Sequence, residues 1–521
     1  MKKIFLLVFL LSFITKSFSC TNFIVTKGAS VDGSAYIVYT NDGEWLYHLQ
    51  KFAAKDYKSG EWRKTGSGKI PQVLHTYASL GFHMNEYQLS IGETTFTGRE
   101  ELWNKKGFIK YWHLMKLALE RAKNAREAIR VITTIVDKYG YGSEGESFSI
   151  VDPNEAWILE MIGRGENEKG AVWVAVKIPD GYVSAHANMS RIGESQMNDT
   201  SVCYHSKDII KFATDTGYYD LKNPRPFRFN EIFNPATPER LKYCESRVWS
   251  IFNRVAPSLN LSTDYCRGVK GASRYPLYVR PDKKLNFKDV ANIIRDHYEA
   301  TPFDMTKGIQ AGAFGNPNRV RPLNWEVNGE KHQWERAIST YNSAFSFIAQ
   351  MRSWLPNNIG GIVWFGEDDT YSTCYLPMYV GINKIPEAYT IGDINKFSWK
   401  SAWWVFNFVA NFANIRYVDM IKDIQKVQHQ HENLYISQID SIDVKAKELL
   451  KTSGKEKSNE FLTNYVKLSG DKLVADWINL GEFLITKYND GYVKDEKNQI
   501  KQTGYPQDWY NKVNNYNKNC K

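Results

Sequence analysis

Two short runs rich in β-branched and aromatic residues, Thr21 to Thr26 and Ala35 to Thr40, flank Asp32-Gly33 and predict a β-hairpin. Pairing about that turn brings Asp42 within roughly three residues of the point opposite Cys20, on the order of 10 Å along a strand. Further strand-like runs follow at Glu86 to Phe96, Ser147 to Val151 and Ala156 to Met161, the last two joined by the turn-forming Asp152-Pro153-Asn154. Ala171 to Lys177 and Tyr182 to Ala187 predict a second hairpin about Pro179-Asp180-Gly181. Between the early and later strands the pattern turns helical. Tyr111 to Ala122 is one helix. A second is capped by Asn124, with Glu127 completing a capping box, and runs through Ala128, Ile132, Ile135 and Val136 to a stop at Gly140.

Residues 315 to 335 are polar and turn-rich and predict a surface excursion. Strand character returns at Gly361 to Phe365 and Thr373 to Tyr379, around Glu367-Asp368-Asp369, which reads as a solvated turn rather than a cation site. From Trp399 the chain is helical. The aromatics Trp403, Trp404, Phe406, Phe408 and Phe412 suit core packing, and a charged, periodic stretch follows to Leu450. Within it, His429-Gln430-His431-Glu432 reads as solvated helix surface, because residues two apart on a helix face nearly opposite sides. No internal repeat is present. Strand pairs, a helix layer and more strand pairs predict an α+β fold of stacked antiparallel sheets covered by helices.

Composition narrows the class. The chain has 521 residues, 43% of them hydrophobic, with 16 Trp, 31 Tyr and 27 Phe, so it has the apolar surface to fold and is not a disordered or collagen-like protein. Its length predicts two domains or one large elaborated one. The net charge is +10, but three lysines (Lys2, Lys3, Lys16) precede Cys20, leaving 64 basic against 57 acidic residues thereafter. No basic block stands out, so a nucleic-acid partner is not expected.

Residues 1–19 read as a secretory signal peptide: two lysines, the apolar run Ile4 to Ile14, then small residues. That run is about eleven residues, against roughly 20 needed to span a bilayer. Ser17 and Ser19 suit cleavage just before Cys20 by signal peptidase, which predicts an exported protein, periplasmic or extracellular, whose mature chain starts with cysteine. Acylation of Cys20 as a lipoprotein anchor is the alternative, disfavoured by Ser17 where a large aliphatic residue is usual. The six cysteines (Cys20, Cys203, Cys244, Cys266, Cys374, Cys520) show no zinc-like spacing, and no metal or organic cofactor is expected.

A cysteine at a free N-terminus carries a nucleophile and a base in one residue. The thiol attacks, and the α-amine, with a reference pKa of ~7.7–8.0, accepts and returns a proton near neutrality. The pair Cys203-x-His205 is a weaker candidate for a conventional Cys–His couple.

The run Cys20-Thr21-Asn22, Lys27 to Ser30, Asp32-Gly33-Ser34 and Asp42 resembles the start of the secreted dipeptidase family of cysteine N-terminal-nucleophile hydrolases, of dipeptidase A and secernin type. The likeness continues through Met84-Asn85-Glu86, Gly92-Glu93-Thr94-Thr95, Asp152 to Trp157, Trp173-Val174-Ala175, Arg295 to Glu299, Arg352 to Pro356 and Gly360 to Asp369. The resemblance implies a four-layer αββα sandwich, here residues 20–398 with a helical extension at 399–521. It also implies hydrolysis of dipeptides through a thioester on Cys20.

By the same resemblance Asp42 holds the amine and thiol in place, and Asn188 contacts the tetrahedral intermediate. Thr95 stands near the oxyanion-hole asparagine of relatives, and Asn85 is a further candidate contact. Tyr39 stands where many relatives carry an arginine, so a distant cation such as Arg274 is a candidate to favour the thiolate. Each has a structural rival: Asp42-Gly43 as a turn, Asn188 as a strand-end cap, and Thr95, Asn85 and Arg274 as packing residues. Two other functions stay open, an N-acyl amide hydrolase of penicillin V or bile-salt type and a lipid-anchored binding protein without catalysis. Assembly into a homo-oligomer is also left open.

Overall fold

A computed structural model describes residues 20–519, so the signal peptide expected at 1–19 and the terminal Cys520 and Lys521 lie outside the described residues. Two antiparallel sheets dominate. The first has seven strands in the order Tyr278–Val279, Val183–His186, Cys20–Val25, Ala35–Asp42, Ser343–Met351, Ile362–Glu367 and Leu376–Tyr379. The second has eight, running from Cys203–His205 through Ala171–Ile178, Ala156–Gly163, Gly145–Val151 and Ser90–Phe96 to three short strands. Both hairpin strands of the first sheet touch Ser90–Phe96 and Gly145–Val151 of the second. Gly92 permits that approach: a Cβ there would stand 2.1 Å from Asn22 Nδ2.

Local sequence sets the helices as expected. Tyr111–Arg121 and Ala125–Tyr139 pack on the second sheet, burying Leu114, Leu117, Ile129, Ile132 and Val136. Asn124 Oδ1 accepts from Glu127 N at 3.0 Å, a cap worth about 1 kcal/mol. Glu127 Oε2 reaches one residue further back than a standard box, to Lys123 N at 2.8 Å. On the first sheet, Pro238–Val255 packs against Val183–His186, and the C-terminal helices Ala402–Ala413 and Tyr417–Tyr488 pack against Ile362–Glu367 and Leu376–Tyr379. The long helix breaks at Gly454, where φ is 87°. Its two arms fold back on each other, as Ser458 Oγ to Ala446 O at 2.9 Å and His431 Nε2 to Asp476 Oδ2 at 2.9 Å record.

Several expectations are corrected. The runs at 171–177 and 182–187 do not form a hairpin. Ala171–Ile178 pairs with Ala156–Gly163 in the second sheet, while Val183–His186 crosses to the first and pairs with Cys20–Val25. Pro179-Asp180-Gly181 is thus a sheet-to-sheet crossover, and it delivers Asn188 beside Cys20.

Glu367, Asp368 and Asp369 are buried rather than solvated, because Ala402–Ala413 covers the turn and Asn407 Nδ2 donates to Asp368 Oδ1 at 3.0 Å. His429 and Gln430 are exposed, but His431 and Glu432 are buried, Glu432 against Arg295 with Oε2 at 3.1 Å. The helical stretch continues past Leu450 to Tyr488. Residues 315–335 do carry an exposed hairpin, Asn324–Val327 with Glu330–Gln333.

Candidate active site

Cys20 opens the first strand and pairs across the hairpin with Asn41. Directly paired residues share a face of the sheet, and alternate residues on one strand do too. Cys20, Asn41 and Tyr39 therefore converge. Asn41 Nδ2 donates to the Tyr39 hydroxyl at 2.7 Å and stands 3.7 Å from Cys20 Sγ. Trp45 Nε1 donates to Asn41 Oδ1 at 3.0 Å, which fixes the amide so that its NH2 faces the sulfur. The Tyr39 hydroxyl lies 3.7 Å from Sγ and donates to Glu93 Oε1. Glu93 Oε1 also accepts from the thiol, at 3.5 Å.

The backbone nitrogen of Cys20 is held separately, by Asn188 Oδ1 at 3.1 Å. Asn188 sits just past Val183–His186 with φ 59°, a left-handed conformation that asparagine tolerates better than most residues. Its Nδ2 donates to Thr95 O at 2.8 Å, linking the two sheets. The helix Pro238–Val255, started by a Thr237 cap and Pro238 in its first turn, fixes the rest. Arg240 Nη2 and Cys244 Sγ donate to Asn188 O at 3.2 and 3.4 Å.

Arg247, one turn further on, is fully buried. Its Nη1 donates to Cys20 O at 2.7 Å and Thr21 Oγ1 at 3.0 Å, and its Nη2 to Ala187 O at 3.2 Å and Asn188 Oδ1 at 3.0 Å. All four acceptors are neutral, so a buried positive charge stands beside the Cys20 backbone.

The electrostatics are balanced between signs. Burial, then the Glu93 carboxylate, push the Cys20 thiol well above its ordinary pKa, against the lowering effect of the Tyr39 hydrogen bond. Burial also raises Glu93. Burial followed by the charge of Glu93 pushes Glu146 well up, so Glu146 keeps its proton and shares it with Glu93. On the other side, the Arg336 guanidinium attracts a Cys20 thiolate.

Two cavities meet at Tyr111 and Trp112 beside this cluster. One, of about 690 Å³, is lined by Tyr39, Asn41, Trp45, Phe82 and the two shared aromatics. The other, of about 420 Å³, is lined by Thr95, Lys110 and Glu144 with the same pair. Among the described residues, no three His, Cys, Asp or Glu side chains converge as metal ligands, and no helix is long and apolar enough to cross a membrane.

Comparison with known proteins supplies the family. The model of Peptidase family C69 matches residues 57–430, most of the chain. This protein belongs to peptidase family C69. Its relatives include a "Probable dipeptidase" of Latilactobacillus sakei, 24% identical over 77% of this chain and 82% of the relative. A "Probable dipeptidase" of Salmonella dublin is 25% identical over 70% of this chain and 82% of its own length. "Dipeptidase A" of Lactobacillus helveticus is 22% identical over 91% of this chain and 99% of its own length. The family match starts after Cys20 and Asp42, so their case rests on geometry. It includes Glu93, Asn188, Arg247 and Arg336.

The structure of this C69 protein brings together Cys20 and Asn188 and distributes the other candidates differently. Asp42 is one position beyond the residue opposite Cys20 and faces the other side of its strand. Its carboxylate takes Arg336 and Ser343 Oγ, the latter at 3.2 Å, with Arg321 at 3.7 Å. Asp42 therefore bears on Cys20 by positioning Arg336, not by touching the amine or thiol.

Thr95 presents its backbone carbonyl to Asn188, while its hydroxyl goes to Glu146 Oε2 at 3.0 Å. Asn85 binds the carbonyls of Leu119 and Ala122 at 2.9 and 2.7 Å, a structural tie to the first helix. Arg274 pairs with Glu231 at 3.5 Å; Arg247 and Arg336 are the cations beside Cys20. His205 is engaged by the carbonyls of Ser206 and Met197 at 3.0 and 3.1 Å and does not bond Cys203. The residues missed from sequence are Asn41, Glu93, Arg247 and Arg336. Only the acids left a local signal: Glu93 and Glu146 are charged residues within otherwise strand-forming runs.

Proposed function

We propose that this protein is an exported cysteine dipeptidase whose nucleophile is Cys20, freed as the N-terminal residue by removal of residues 1–19. In this proposal residues 20–398 form an N-terminal-nucleophile catalytic domain of αββα type, and 399–521 are a helical extension packed on it. The observation that carries it is the separate anchoring of the two working atoms of Cys20. The nitrogen lies on Asn188 Oδ1 at 3.1 Å, and the sulfur lies beside Asn41 Nδ2 at 3.7 Å.

The chemistry follows from those contacts. The thiol passes its proton to the Cys20 α-amine and the sulfur bonds to the carbonyl carbon, sending the carbonyl electron pair to oxygen. Asn41 Nδ2 is the amide donor beside the developing oxyanion; one such donor is worth about 10²- to 10³-fold in rate in other acyl-transfer enzymes. The C–N bond then breaks, and the leaving amine takes the proton back from the α-ammonium. Water attacks the thioester by the same steps in reverse order. The buried charge of Arg247 disfavours the ammonium form of the α-amine and so keeps it a base.

A panel of dipeptides, longer peptides and N-acyl amides such as penicillin V tests the substrate class. Dipeptides are expected to be cleaved at least 10-fold more efficiently, in kcat/KM, than either other group. Preferential cleavage of N-acyl amides would replace the proposal with the amide-hydrolase alternative.

A further inference from the structure

Among the described residues, the carboxyl pair beside Cys20 has no cation of its own. Glu93 and Glu146 are both fully buried. Glu93 Oε2 and Glu146 Oε1 find no donor beyond the proton the two carboxyls share, and among the described residues no lysine, arginine or histidine pairs with either. A buried carboxylate without a counter-charge is costly unless something completes it. Tyr39 and the Cys20 thiol both donate to Glu93 Oε1, the thiol across 3.5 Å.

We propose that Glu93, with Glu146 at its back, is the receptor for the free α-ammonium of the substrate's first residue and so restricts cleavage to the bond after an unblocked N-terminal residue. This rests on the dipeptidase proposal and deepens it. Geometry supplies the reason. A carbonyl carbon in attack position lies about 3–3.5 Å from the sulfur. The ammonium of the same residue lies about 2.5 Å from that carbon. With Glu93 Oε1 at 3.5 Å from Sγ, an N–O contact of about 2.7–2.9 Å closes the circuit of four atoms. The thiol loses its hydrogen bond to Oε1 on deprotonation, and the arriving ammonium replaces that donor.

The same contact activates the nucleophile. Glu93 holds the thiol protonated in the free enzyme; an ammonium on Glu93 cancels that field, so a proper substrate eases loss of the thiol proton. An N-acylated substrate has no charge to offer and places its acyl group where the ammonium should sit.

The test pairs two substrates, a free-amine dipeptide and its N-acetyl counterpart, with two enzymes, the wild type and Glu93→Gln. Wild type is expected to prefer the free amine by about 10²-fold or more in kcat/KM. Glu93→Gln is expected to lose about 10²-fold on the free amine and little on the acetyl substrate, while its Cys20 is alkylated faster by iodoacetamide at pH 7. Equal losses on both substrates, or slower alkylation, would overturn the inference and make Glu93 a support for the fold or for the Cys20 amine. Should the variant not fold, a desamino analogue with hydrogen in place of the ammonium tests wild type directly, and cleavage as efficient as the dipeptide's refutes the role. Wild type inactive on both partners refutes the dipeptidase proposal itself, and this one with it.

Discussion

Replacing Cys20 with alanine, in protein made to start at residue 20, is expected to lower kcat/KM on a dipeptide by about 10⁴-fold or more. Loss of the nucleophile alone removes nearly all the catalysis in enzymes of comparable design, because the remaining groups cannot form the covalent intermediate. The thiol is buried and makes only the long contacts to Tyr39, Asn41 and Glu93. A buried free cysteine packs as a small apolar side chain, so alanine leaves the fold nearly as stable. Thermal melting should move by only a few degrees while activity vanishes. Serine is expected to fail almost as badly, since its hydroxyl is far less acidic than a thiol. Dipeptide hydrolysis within 10-fold of wild type in either variant would remove Cys20 from the chemistry.

The second large effect belongs to Arg247. Methionine there keeps much of the volume but takes a donor from Cys20 O, Ala187 O and Asn188 Oδ1, of which the last keeps Cys20 N, at about 1–3 kcal/mol for each buried acceptor left unsatisfied. Removing a buried charge offsets part of this, so a net loss of about 3 kcal/mol is expected in denaturant unfolding. Activity should fall further than stability explains, by about 10²-fold in kcat with little change in KM, because Asn188 and the Cys20 backbone lose their common anchor. Lysine should not rescue it: one ammonium cannot reach four acceptors on two strands as a guanidinium fork does. A kcat within threefold of wild type would show that the Arg247 network is scaffolding alone.

Much of this architecture is legible in local sequence. The Asn124 cap, the Gly140 stop and the alternating apolar helix positions define Ala125–Tyr139 almost to the residue. The opening hairpin is also legible, but its register is not. A turn centred on Asp32-Gly33 would set Trp45 opposite Cys20, three residues beyond Asp42. The observed pairing of Cys20 with Asn41 puts the centre between residues 30 and 31, after a short helical turn at Lys27–Ala29. Neighbouring residues on a strand point to opposite faces, and this is why Asn41, opposite Cys20, reaches the sulfur while Asp42 turns to Arg336. The crossover at Pro179-Asp180-Gly181 has the composition of a hairpin turn, and only the competition between two sheets for Val183–His186 decides otherwise. Arg247 lies 227 residues from Cys20 and Arg336 lies 294 from Asp42, on elements whose local patterns carry no hint of the hairpin.

The electrostatics beside Cys20 were hidden for a related reason. Glu93 and Glu146 look like ordinary solvated strand residues until both strands are buried and the Thr95–Glu146 pairing sets the carboxyls side by side. Burial then sets two unremarkable acids against each other beside the thiol, and both are pushed upward.

The central claim is that the sulfur and a basic nitrogen of one residue perform the reaction, and mass spectrometry of the N-terminal peptide from purified, active enzyme tests it most directly. The account predicts a peptide that begins at Cys20 with an unmodified amine. Active enzyme in which Cys20 is preceded by other residues, or carries a diacylglyceryl thioether and a blocked amine, would contradict it.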